Sequence, residues 1–88
     1  MANILTNMNP FSIDKNPTDI LKELAQRTKT LRKEHKMSQS ELAQRANVSL
    51  GSYKRFETSG HISLDSLLKI AFILGKLNDF ETVFQSYR

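Results

Sequence analysis

The side chains with the longest chemical reach in this 88-residue chain are its bases. Lys22, Arg27, Lys29, Arg32, Lys33 and Lys36 crowd residues 19–36 and meet only Asp19, Glu23 and Glu34 there. Arg45, Lys54 and Arg55 follow, against Glu41 and Glu57. Residues 1–18 and 61–88 are each charge-balanced, so the whole excess of +4 falls between 19 and 60. Such a run most often forms a solvated helix face. It also suits a polyanion, with one basic surface facing phosphates and a neutral half serving another purpose.

Other chemistry is poorly supported. His35 and His61 lie far apart, with no H-x-x-x-H spacing and no thiol nearby. There are no cysteines, which excludes disulfides and thiolate zinc sites. The glycines at 51, 60 and 75 are scattered and form no phosphate-cradling loop. Ser38, Ser49 and Ser63 each precede a helical pattern, so capping explains them without a nucleophile. No enzyme, metal or cofactor is expected.

Helices must position the bases. Residues 1–17 hold both prolines and four asparagines without periodicity, and are expected to form a flexible N-terminal arm. Residues 18–88 are expected to form one domain. A helix should start near Thr18 or Asp19 and run to about Lys36, with Leu21, Leu24, Thr28 and Leu31 as its stripe. Ser38 and Glu41 form a capping-box pattern for a second helix, and Asn47 suits a left-handed stop. Ser49 caps a third helix to about Thr58. Ser63 caps a fourth, with Leu64, Leu67, Leu68, Ala71 and Leu74 as its stripe and Gly75 as its stop. Asn78 can cap a fifth through Phe80, Val83, Phe84 and Tyr87. No period-two alternation is sustained, so the fold class is all-α. The longest apolar run, Ile70 to Leu74, is far short of a membrane span, and no signal-peptide pattern opens the chain. A cytoplasmic location is expected.

Two short helices joined by a tight corner, with Ala43 at the crossing and Tyr53 and Phe56 pinning the second helix, have the layout of a helix-turn-helix. In such a unit the second helix enters the major groove of DNA. The stretch Met37-Ser-Gln-Ser-Glu-Leu-Ala-Gln-Arg-Ala-Asn-Val-Ser49 resembles the helix-turn-helix of the Xre or Cro/C1 phage-repressor family. Tyr53-Lys-Arg-Phe-Glu57 and Ser63-Leu-Asp-Ser-Leu-Leu-Lys-Ile-Ala71 extend the match, which covers roughly residues 20–78. The resemblance implies a compact five-helix repressor-type DNA-binding domain. It implies phosphate contacts at Ser38, Gln39 and Ser49, where helix N-terminal amides attract anions. It implies base reading by Leu50, Gly51, Ser52, Lys54 and Arg55, with Arg55 suited to guanine O6 and N7. Arg32 and Glu57 match a charged pair that holds the recognition helix from beneath. Tyr53 stands where an aliphatic side chain is usual, so its hydroxyl needs a partner.

Ile70, Phe72, Ile73, Phe80, Phe84 and Tyr87 supply more apolar surface than so short a chain can bury. They are expected to form a two-fold dimer interface, matching a palindromic DNA operator. Two further readings accompany this one. Phe56 to Leu68 is similar to HipB-like antitoxins, which also bind a kinase-like toxin protein. Alternatively, the same fold can act as an adaptor or coactivator that bridges proteins without reading DNA.

Overall fold

The computed structural model describes residues 15–86. Its first helix, α1 (Pro17–Glu34), opens on a reciprocal cap. The Asn16 side chain accepts from the Asp19 amide at 3.0 Å, and Asp19 accepts from the Asn16 amide at 3.2 Å. Pro17 takes the first helical position, where a missing N–H leaves no bond unmade. Asn16 and Pro17 therefore belong to the helix rather than to the expected arm. Residues 1–14 of that arm lie outside the described residues. The helix ends two residues short of Lys36, which sits in the left-handed region at φ 58°. The Met37 amide then turns back to donate to Arg32 O at 3.1 Å.

Three serines start the next helices: α2 (Gln39–Ala46), α3 (Leu50–Ser59) and α4 (Leu64–Ile73). Ser38, Ser49 and Ser63 accept from the amides of Glu41, Ser52 and Ser66 at 3.0, 3.1 and 3.1 Å. The Glu41 carboxylate pairs with Arg45 at 2.9 Å instead of closing the capping box. Asn47 adopts φ 57°, and the Val48 amide donates to Ala43 O at 2.9 Å, which makes the tight corner between α2 and α3. Gly60 ends α3 at φ 85°. A β-carbon there would lie 2.7 Å from the Leu21 backbone, so glycine lets the end of α3 press against α1.

α1 lies on α3, while α2 packs against both α3 and α4. Between them Leu42, Tyr53, Phe56 and Ile70 are fully buried, joined by Ala25, Met37, Ala43, Ala46, Val48 and Leu74. The described residues are all-helical, with four α-helices. In place of the expected fifth helix, Leu77–Phe80 forms one 3-10 turn without a side-chain cap. Val83 and Phe84 beyond it are exposed, so no buried face sustains further helix. Among the described residues, a cleft of about 610 Å³ lies between α1 and α4, with Leu24, Leu31, Leu67 and Leu74 among its walls and Phe80 and Val83 along its rim. Among the described residues, no helix is long and apolar enough to cross a membrane.

Candidate nucleic-acid interface

α3 is held from below by a polar network inside an otherwise apolar core. Arg32 on α1 is only 7% exposed. Its Nε donates to Glu57 Oε2 at 2.8 Å, its Nη2 to Glu57 Oε1 at 3.3 Å, and its Nη1 to Met37 O at 2.9 Å. Gln39 Nε2 donates to Glu57 Oε1 at 2.9 Å, and the Tyr53 hydroxyl donates to Glu57 Oε2. One carboxylate thus joins the last turn of α1, the first residue of α2 and two successive turns of α3.

Electrostatics follow from this geometry. Burial pushes the Glu57 carboxyl up, but hydrogen bonds from Arg32, Tyr53 and Gln39 outweigh it and leave it below the usual carboxylate range. The hydrogen bond to Glu57 raises Arg32, with burial opposing. Burial, followed by the bond to Glu57, raises the Tyr53 phenol well above its ordinary value. All three shifts favour the arrangement seen: a guanidinium, a carboxylate and a neutral phenol.

On the outer side of α3, Leu50, Gly51, Lys54 and Arg55 are exposed. Among the described residues, neither Lys54 nor Arg55 has a side-chain hydrogen-bond partner or ion pair. Nothing lies within 4 Å of where a Gly51 β-carbon would stand. Ser52 is half-buried. Its Oγ accepts from Ser49 Oγ at 2.8 Å, which leaves its own proton free to donate. Ser38 uses its Oγ lone pairs on the Glu41 amide and likewise keeps a free proton. Gln39 spends one amide N–H on Glu57 and retains another. The first amides of α2 and α3 have no intrahelical acceptor, as at every helix start. Lys22, Lys33 and Lys36 are exposed and Lys29 is half-buried. Among the described residues none of these four forms an ion pair, whereas Glu23 takes Lys15 and Arg27, and Glu41 takes Arg45.

The structure treats the expected dimer residues unequally. Ile70 is 1% exposed and belongs to the core, so it has no surface to give a partner. It lies on the side of α4 that borders Leu24, Thr28 and Leu31 of α1, which periodicity within α4 alone does not reveal. Ile73 and Phe80 are half-buried, Phe72 and Phe84 are exposed, and Tyr87 lies outside the described residues. His35 Nδ1–H donates locally to Leu31 O at 2.9 Å, and His61 sits on the exposed loop after α3.

A family model, Helix-turn-helix, matches residues 29–77, more than half of the chain. The chain belongs to the Xre and Cro/C1-type helix-turn-helix family. Family membership makes it a DNA-binding regulator in the general sense. The matched stretch runs from the middle of α1 past α4, and holds every member of the Glu57 network. Gln39 and Tyr53 are the members that sequence reasoning did not assign to this network. The unusual tyrosine at 53 was the available signal, since a buried hydroxyl calls for a nearby acceptor. Among curated proteins, no sequence matches the chain.

Proposed function

We propose that this protein is a sequence-specific DNA-binding transcriptional repressor that acts as a dimer and controls its own gene. α3 enters the major groove. Arg55 and Lys54 reach base edges, Leu50 meets a thymine methyl, and Ser52 donates from beside them. Ser38, Gln39 and Ser49 hold phosphates at two helix starts. The observation that carries this reading is the two-sidedness of α3. Its outer face presents cationic and apolar side chains without partners among the described residues, while on its inner face the buried Glu57 carboxylate accepts three hydrogen bonds from α1 and α2 and a fourth from Tyr53 of α3 itself. A helix anchored in this way loses little freedom on binding.

Fluorescence anisotropy on the duplex upstream of its own gene, beside a scrambled duplex, tests the reading. Submicromolar binding to the upstream duplex alone is the expected result. Affinity should fall steeply with salt, because phosphate contacts release counterions. Equal binding to both duplexes that vanishes with salt would leave only a basic surface, and an adaptor role would replace this reading.

A further inference from the structure

An apolar track leads from the start of α1 into the cleft between α1 and α4. Ile20, Leu24, Arg27 and Leu31 recur at steps of three or four residues and so share one face of α1. Ile20 stands in the first turn and is 43% exposed among the described residues, while Leu24 and Leu31 are half-buried in the cleft wall. A charged ladder edges the same face. Lys15 Nζ reaches Glu23 at 2.8 Å, Glu23 accepts from Arg27 at 3.2 Å, and Arg27 lines the cleft. The side chain just before the Asn16 cap therefore leans along the helix toward the cleft.

We infer that residues 1–14 of this same chain occupy the cleft, turning back before Asn16 and running along α1 against its direction. The inference stands apart from the DNA reading. Reach permits it. Leu24 lies eight residues past Asn16, about 12 Å along the helix, and fourteen extended residues span at most about 50 Å. Composition suits it as well. Ile4, Leu5, Met8, Phe11 and Ile13 are apolar, and residues 1–13 carry no charged side chain, so no ionised side chain loses its water on docking. Tethering favours this occupant over a free one. A segment joined to α1 beside the cleft has an effective concentration of roughly millimolar order, which a separate protein or a second copy does not reach. The other end of the chain offers less. Val83 stands on the rim, but Phe84 after it is 99% exposed, and only residues 87 and 88 lie beyond the described ones. Docked in this way, residues 1–14 act as a strap and give the core the apolar cover expected of a fifth helix.

Photo-cross-linking of the full chain tests the placement. Phe11 is replaced by the photoreactive analogue benzoylphenylalanine, and cross-linked peptides are located by mass spectrometry. Irradiation should join position 11 to residues 24–31 of α1 or 67–74 of α4, within one molecule and at a yield independent of protein concentration. Links to α2 or α3, or links that form only between molecules, would overturn the inference. A chain lacking residues 2–13 keeps Lys15 and the Asn16 cap, so α1 still starts normally. Its urea midpoint should fall, and its m-value should drop by on the order of a tenth, because unfolding exposes less buried surface. An unchanged midpoint and m-value would overturn the inference equally. Leu67→Lys in the cleft wall gives a cross-check. Truncation and Leu67→Lys together should lose less than the sum of their separate losses, whereas strict additivity refutes a contact between residues 1–14 and this wall. Deleting residues 84–88 instead should leave the midpoint unchanged. A loss there, with none from the N-terminal deletion, would assign the cleft to the other end of the chain.

Discussion

Glu57→Ala should be the most damaging single change in the domain. It removes the acceptor for four hydrogen bonds and leaves a guanidinium that is 7% exposed with only Met37 O as partner. Breaking one side of a buried ion pair costs about 3–5 kcal/mol. A domain of this length has roughly 4–13 kcal/mol in total, so much of its stability would go. At about 4–8 °C per kcal/mol, the melting midpoint should drop by roughly 12 °C or more. Urea titration followed by circular dichroism at 222 nm measures this directly. Arg32→Met with Glu57→Leu and Tyr53→Phe separates the charge effect from shape. That triple variant leaves no buried ion unpaired, so it should be more stable than Glu57→Ala despite carrying more substitutions. The reasoning fails if Glu57→Ala costs less than about 1 kcal/mol, or if the triple variant costs the sum of its three single changes.

Other expectations follow from the same geometry. Arg55→Ala should weaken binding to the preferred duplex by about 1–3 kcal/mol and barely change binding to scrambled DNA, as anisotropy would show. Gly60→Ala must adopt φ 85° and set a β-carbon 2.7 Å from the Leu21 backbone, so its urea midpoint should fall well below wild type, whereas Gly51→Ala should raise it slightly. Because Glu57 lies below its usual range when folded, its stabilisation is full above the ordinary carboxylate value, declines below it and is lost as pH falls through the lower folded value; Glu57→Gln should show a shallower acid loss of stability in urea titrations below about pH 5. Tyr53 is raised, so its contribution is full below about pH 10 and declines above it, and Tyr53→Phe should flatten that alkaline limb.

Local signals in this sequence were strong where a helix start or stop depends on one or two neighbouring residues. Ser38, Ser49 and Ser63 are caps because an N-cap needs only a hydroxyl and an amide three residues on. Asn47 turns the corner because its short side chain tolerates the left-handed region. The same kind of signal at Asn16 and Pro17 was masked by neighbouring asparagines and Pro10, which read as loop. What depends on packing was less legible. Ile70 and Phe72 are two residues apart and equally apolar, yet one is sealed in the core and the other stands in water. A segment such as 78–87 has helical spacing, but whether it stays helical depends on a surface elsewhere to cover it. The Glu57 network joins residues up to 25 positions apart, which no local pattern encodes.

Gly51 and Gly60 also bear on how such a protein can change over generations. Position 60 is closed, because its backbone angle and its clearance from Leu21 both reject a side chain. Position 51 is open, with empty space where a side chain would project from the outer face of α3. Arg55 and Lys54 beside it likewise have no side-chain partner among the described residues, and Glu57 and Tyr53 on the opposite face carry the anchoring. Recognition can therefore drift one residue at a time without passing through unfolded intermediates. Under the proposed DNA reading, filling position 51 changes the operator and leaves the anchoring face of α3 intact.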